Sequence, residues 1–190
     1  MSEILLPIEI SFKTSITATL ITFCLGVSAA WWISRYQGRG KSIIETILTA
    51  PLVLPPTVVG FLLILALGKN GWLGQLLDAI GIRVVFTWYA TVIAATVVSF
   101  PLMYKSASSA FAGIDRHLID CGRTLGASEK TIFWRIILPL ARPGPIAGTL
   151  LSFAHALGEF GATIMLAGNI FLAEPKLFQS QFIKRRKAEN

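Results

Sequence analysis

Asp120-Cys121-Gly122-Arg123-Thr124-Leu125-Gly126, followed after nine residues by Ile136-Ile137-Leu138-Pro139, predicts a helix, a glycine break and a second short helix closed by Leu-Pro. Very apolar stretches lie on both sides, so the segment reads as a compact helical knob presented at a membrane surface by a polytopic protein. Asp115 precedes the first helix and can accept hydrogen bonds from its free N–H groups. Gly126 suits the left-handed residue that closes a helix. Ser128 is placed to cap the second helix, with Glu129 in its first turn, where the helix dipole favours a negative charge. Ile132, Phe133, Ile136 and Leu140 fall on one face at helical spacing. Leu138 and Pro139 are expected to end that helix and turn the chain back toward lipid. Gly122, beside Cys121, is expected to leave room for a partner's side chain. On pattern alone, an ordinary helical hairpin between two membrane helices is the alternative.

Composition points the same way. The 190 residues are 54% apolar and only 14% charged, with a mean hydropathy of +0.67. A soluble domain carries roughly 25% charged residues, so part of this chain's solvent must be lipid. The net charge of +7 does not point to nucleic acid. The basic residues sit in the gaps between apolar runs, not on one helix face with interleaved aromatics. Cys24 and Cys121 share no metal-ligand spacing with His117 or His155 and read as small packing residues. No metal site and no cofactor is expected. Met1-Ser2-Glu3-Ile4 lacks the basic start of a cleaved signal peptide, so the first apolar run should remain as a membrane helix.

A bilayer core of about 30 Å needs about 20 apolar residues in a helix. Four stretches qualify: residues 14–34, 47–67, 87–104 and 145–167. Trp31 and Trp32 are expected to anchor the inner end of the first, and Trp88 and Tyr89 to mark the outer edge of the third. The gaps after the first and third spans hold Arg35, Arg39, Lys41, Lys105, Arg116, Arg123, Lys130, Arg135 and Arg142; the other side has Lys13, Lys69 and Arg83. Nine against three places the loop at about 113–142 in the cytoplasm and the N-terminus outside. The tail, residues 170–190, departs from this pattern. Lys176 and Lys184-Arg185-Arg186-Lys187 would lie outside after four spans, and 171–183 is too short and polar to cross.

Two features inside the spans carry candidate chemistry. Pro51, Pro55 and Pro56, with Gly60 close behind, should break the second span, and Pro101 interrupts the third. Broken membrane helices persist where neighbours or a cavity satisfy the freed backbone groups, and they commonly line translocation pathways. A structural kink is the equal alternative. Glu159 is the one acid deep in a span, and such residues face a bundle interior or water. His155, four residues earlier, can share its helix face and partner it. Gly158 and Gly161 flank the acid, and Gly144 and Gly148 form a small-xxx-small pair for close helix contact. A structural hydrogen-bond anchor competes as the role of Glu159.

The knob's spacing resembles the E-A-A-x3-G-x9-I-x-L-P loop of ABC importer permeases. With Pro51-Leu52-Val53-Leu54-Pro55-Pro56-Thr57-Val58-Val59-Gly60, Ser99-Phe100-Pro101-Leu102-Met103 and Gly158-Glu159-Phe160-Gly161-Ala162-Thr163, the chain is similar to permease subunits of molybdate/tungstate ABC importers, relatives of the sulfate permeases. The resemblance covers about residues 8–169. It implies an all-α polytopic membrane protein with the type I ABC importer transmembrane-domain fold over residues 1–169. Asp120, Cys121, Gly122, Gly126, Ile136, Leu138 and Pro139 would form the ATPase-coupling loop. Pro55, Pro56, Gly60, Pro101, His155, Gly158, Glu159 and Gly161 would lie on the translocation pathway or its gate. The implied partners are two cytoplasmic ABC ATPase subunits, an extracytoplasmic oxyanion-binding protein, a second copy of the chain in a homodimer, and the lipid bilayer.

Asp120-Cys121-Gly122 stands where the family has Glu-Ala-Ala, a conservative departure in charge and size. After Asn169 the family continues with Pro-Gly, an outer segment and a last membrane helix. Here Ile170-Phe171-Leu172-Ala173-Glu174 opens the basic tail, read as a truncated or altered ending that is expected not to support uptake as written. The competing classes are a sulfate or thiosulfate permease, a non-ABC transporter or channel, and an inactive membrane scaffold. A secondary transporter would need no knob and should show internal repeats. No nucleophile is paired with a base and there is no Gly-Lys-Ser/Thr phosphate loop, so the reading is a transport subunit whose ATP is hydrolysed by a partner.

Overall fold

A computed structural model describes residues 2–69, 71–79, 85, 87–159 and 161–167; the basic tail at 170–190 lies outside them. Regular structure among the described residues is entirely helical. The longest helix is α1, Ser2–Arg35. At 1.5 Å per residue its 34 residues extend about 50 Å, well beyond a bilayer's hydrocarbon core. The helix therefore begins twelve residues before the predicted span at 14–34. Glu3, Glu9 and Lys13 lower the local hydropathy without interrupting backbone hydrogen bonding. Its apolar part, Ile8–Arg35, and α5, Trp88–Ala112, are each long and apolar enough to cross a membrane.

Two further runs are bent pairs. One joins α2, Lys41–Val53, to α3, Pro56–Leu67, with a bend of 117°; the other joins Glu129–Ala141 to Pro143–Gly158. Local chemistry explains the site of the break. A residue before proline is driven out of the α region, and here two follow in succession: Leu54 has ψ 140° and Pro55 has ψ 138°. Pro56 then occupies the first turn of α3, where a missing N–H leaves nothing unsatisfied. Pro51 was expected to contribute to the break, yet it stays inside α2. After α3 come the short α4, Trp72–Ala79, then α5 and the knob. Beyond the knob, α9, Pro143–Gly158, is followed by α10, Gly161–Ala167.

Helix α5 is central: it packs against α1, α2, α3, α9 and α10. The contacts use small residues. Ala18, Val92, Ala95 and Ala156 form one buried cluster, and Val59, Ala90, Ala94, Val98 and Ala162 another. Gly144 and Gly148 lie directly on α5, as their spacing predicts. A Cβ at Gly144 would stand 2.3 Å from the Ala110 Cβ, and one at Gly148 2.9 Å from the Met103 sulfur. Buried hydroxyls add hydrogen bonds: Ser152 donates to the Ser99 carbonyl at 3.3 Å, and the Thr22 and Ser99 hydroxyls lie 3.3 Å apart. Leu20, Leu25, Ile47, Val53, Phe61, Leu65 and Leu150 point outward instead. Large apolar side chains outside, with small or hydroxylated ones in these α5 contacts, is the packing expected when the surroundings are lipid.

The aromatic anchors divide. Trp32 is exposed and stacks on Tyr36, as an interfacial residue would. Trp31 turns inward against Phe111 and Phe133. Tyr89 is exposed, while the Trp88 indole donates to the Thr14 hydroxyl of α1 at 2.8 Å.

Candidate functional site

Local capping chemistry builds the knob. Helix α6 spans Arg116–Thr124, and the Asp115 carboxylate accepts from the His117 N–H at 2.9 Å. Gly126 has φ +78°. The Ala127 N–H reaches the Gly122 carbonyl at 3.0 Å and the Gly126 N–H the Arg123 carbonyl at 2.9 Å. That pair of bonds is the Schellman closure, and it needs a residue that accepts the left-handed region. Helix α7, Glu129–Ile132, starts at Ser128, whose hydroxyl accepts from the Thr131 N–H at 3.3 Å.

The second half of the knob differs from expectation. Leu138 and Pro139 do not end the helix. Residues Phe133–Ile137 form a π-helical turn, with the Leu138 N–H bonded to the Phe133 carbonyl, and α8, Leu138–Ala141, continues the path. In an ordinary α-turn the Pro139 ring would meet the Arg135 carbonyl; the wider turn relieves that clash. The direction changes later, by 59° between Glu129–Ala141 and α9. The extra residue in the turn also moves the inward positions on by one. Ile132 and Ile137 are at most 3% exposed and Ala141 is fully buried, whereas Leu140 is 52% exposed. Gly122 also differs from expectation: a Cβ there would stand 3.1 Å from the Ile136 Cδ1 and 3.3 Å from the Ile132 Cγ1. Its small size seats the knob's own second helix, and no cleft for a partner opens there. Asp120 and Cys121 remain exposed beside it.

The knob is fastened to the ends of α1 and α5. Ile132, Ile137 and Ala141 share one buried cluster with Ala30 and Ile33 of α1 and with Tyr104, Ala107 and Phe111 of α5. Removing an isoleucine side chain of this kind from water stabilises by about 1.5–3 kcal/mol. The Trp31 ring lies 4.5 Å from Phe133 and 5.7 Å from Phe111, and the Arg35 guanidinium lies 4.3 Å over Trp31. Glu129 completes the junction. It accepts from Arg35 of α1 and, at 2.8 Å, from the Arg123 Nε, while Arg123 also reaches Asp120 at 3.1 Å. The Arg123 hydrogen bond, then that from Arg35, holds the Glu129 carboxyl below its ordinary range, and Glu129 pushes Arg123 up. Outward, the knob shows Leu118, Leu125, Trp134 and Leu140, with Leu125 86% exposed. A depression of about 420 Å³ opens between Ile114, Leu118, Leu140 and Pro143.

The other candidate residues gather where the two helix breaks meet. Helix α10 packs on α3: a Cβ at Gly60 would stand 2.9 Å from the Ala162 Cα, and one at Gly161 3.0 Å from the Pro56 Cβ. Pro56, Gly60 and Gly161 are thereby brought together. Glu159 is not on a helix face. It sits in extended backbone between α9 and α10 (φ −75°, ψ 106°), and its carboxylate accepts from the Ala162 N–H at 2.7 Å. The expected pairing with His155 four residues back therefore loses its geometric basis, because the helix ends at Gly158. A Cβ at Gly158 would meet nothing within 4 Å. Pro55 is exposed at its break, and Pro101 is buried within a continuous α5, one turn beyond Val98.

Residues 22–180 match the family described as "Binding-protein-dependent transport system inner membrane component". The chain belongs to that family. It is thus an integral membrane permease subunit, and membership implies an ATPase and a binding protein as partners. The match contains both the knob and the paired breaks. The chain is 45% identical over 162 residues to the molybdenum transport system permease protein ModB of Escherichia coli (strain K12), covering 85% of this chain and 71% of that one. It is 48% identical over 170 residues to YvgM of Bacillus subtilis (strain 168), provisionally named a molybdenum transport system permease protein, covering 89% and 75%. A probable sulfate transport system permease, cysT of Chlorokybus atmophyticus, is 37% identical over 161 residues, covering 85% and 56%.

The sequence pattern did not single out Arg35 or Trp31 as part of the knob. Arg35 and Glu129 are 94 positions apart, and the one local signal was the Trp31/Arg35 spacing of four residues at the end of α1.

Proposed function

We propose that this chain is the permease subunit of an ABC importer that carries molybdate, or a closely related oxyanion, into the cytoplasm. The 48% and 45% identity to YvgM and to ModB of Escherichia coli, both named for molybdenum, against 37% to the sulfate-named cysT, supports that substrate over sulfate. In this reading residues 1–169 form the transmembrane domain, the N-terminus lies outside, and the knob faces the cytoplasm. Two copies of the chain associate with two ATPase subunits. An extracytoplasmic protein delivers the oxyanion.

The observation that carries the assignment is the build of the knob. It is capped at both helix starts, closed by a Schellman turn and seated on α1 and α5, yet it directs Leu118, Leu125, Trp134 and Leu140 outward. A soluble ATPase can move membrane helices only through a rigid element that it can grip. Apolar side chains on a preformed surface are what such a contact uses. Nucleotide-driven motion of the knob would reach the paired breaks through α5, which packs on both α3 and α10. There Glu159 holds the start of α10, and Gly60 and Gly161 let α3 and α10 lie close enough to seal.

The test is ATP hydrolysis by the purified complex in proteoliposomes containing the chain and its ATPase. Molybdate-loaded binding protein should stimulate hydrolysis, and sulfate should not replace it. Equal stimulation with sulfate would overturn the substrate assignment.

A further inference from the structure

Covalently, the knob is joined to α5 through residues 113–115 and to α9 through Arg142. The second joint is bent by 59°, which suits a pivot. A third joint is non-covalent. The inner end of α1 meets the knob through Trp31 against Phe133 and through Arg35 against Glu129, and its Ala30 and Ile33 share a buried cluster with Ile132. We propose that this joint makes α1 a third attachment of the knob, with Arg35 and Glu129 as positioning residues, so that α1, α5 and the knob move as one body when the ATPases close. The inference rests on reading the knob as the ATPase dock.

The parts of the joint have separate tasks. The apolar contacts give it stiffness, because buried packing is bistable and does not deform continuously. The ion pair sets its rotation. Glu129 begins α7 and is held from both sides, by Arg35 of α1 and by Arg123 of α6. Arg35 in turn is fixed over the Trp31 ring, which touches Phe133. An exposed ion pair stabilises a fold little, so neutralising either partner should leave a folded chain whose knob is free to swivel against α1.

Spin labels at Gln37→Cys, two residues beyond the end of α1, and at Lys130→Cys, with Cys24 and Cys121 replaced by alanine, report the separation of the inner end of α1 from the knob by pulsed electron resonance. Both labelled positions are exposed. In the assembled complex, the distance should agree within about 2 Å between the nucleotide-free and ATP-trapped states. Arg35→Gln or Glu129→Gln should broaden the distribution and lower binding-protein-stimulated ATP hydrolysis by about threefold, with the complex still formed. Arg35→Lys, which keeps the charge, should restore most of both. A shift of about 5 Å, one helical turn, on ATP binding to an intact complex would overturn the inference alone. So would an unchanged distribution and hydrolysis in Arg35→Gln. Failure of the labelled and unlabelled chains alike to bind ATPase would overturn the docking assignment, and this inference with it.

Discussion

Replacing Gly126 by valine tests the knob at the position its closure depends on. The residue has φ +78°, and a Cβ placed there would meet no atom within 4 Å. Any penalty therefore comes from the substituted residue's own backbone, not from a clash with neighbours. The left-handed conformation costs an L-residue about 1–2 kcal/mol, with β-branched side chains at the upper end. The alternative is to abandon the Schellman closure and lose the bonds from Ala127 to Gly122 and from Gly126 to Arg123. Either way, a preorganised knob becomes less populated by about fivefold to thirtyfold. Apparent affinity for a partner that binds only the closed knob should fall in the same proportion. The assay is co-purification of the ATPase subunit with tagged permease across a range of ATPase concentrations, with membrane insertion checked by yield. Gly126→Asn is the control, because asparagine tolerates the left-handed region, and it should lie close to the unmodified chain. ATPase binding by Gly126→Val at the unmodified level would refute the reasoning, as would equal losses for asparagine and valine.

Gly60→Val would place a Cβ 2.8 Å from the Met165 Cβ and 2.9 Å from the Ala162 Cα; it should destabilise the α3–α10 contact by about 1–3 kcal/mol, read as earlier thermal unfolding in detergent. Glu159→Gln keeps an oxygen that can accept from the Ala162 N–H, whereas Glu159→Ala loses the bond. Proteolytic resistance near α10 should therefore survive the first and fall in the second, and equal behaviour would remove the capping role. For Glu129 the folded pKa is lowered from 4.5, so the stability from its ion pairs is present above that value. It is lost as pH falls through the depressed folded pKa. A fluorescence titration of Trp31 packing should show an acid transition that Glu129→Gln abolishes.

Local chemistry was legible. Asp115, Gly126 and Ser128 act on atoms within five positions of themselves, so spacing alone placed the caps. The break at Leu54 and Pro55 follows from the rule for residues before proline. Apart from the Gly144/Gly148 contact, features that depend on distant segments leave little mark in the sequence. Whether Pro139 ends a helix or widens a turn depends on whether neighbours hold both sides in line. Here the α1 and α5 ends pack against Ile137 and Ala141 and do so. That π-turn then reversed the expected exposure of Leu140. At Gly122 the sequence suggests a cleft, because the residues that fill it, Ile132 and Ile136, come from the next helix. At Glu159 the sequence suggests a mid-span acid, because hydropathy counts the residues on both sides as one run. Its own carboxylate caps a new helix instead. The link from Arg35 to Glu129 crosses nearly half the chain and leaves no mark in spacing.

The central claim is that the knob's exposed apolar side is where a cytoplasmic ATPase sits. A photo-cross-linking amino acid at Leu125, 86% exposed and beside the Gly126 turn, tests it directly in membranes containing the whole transport system. One dominant adduct is expected, between this chain and the ATPase subunit, and it should weaken in Gly126→Val. Cross-linking to the extracytoplasmic binding protein, or to lipid alone, would contradict the claim.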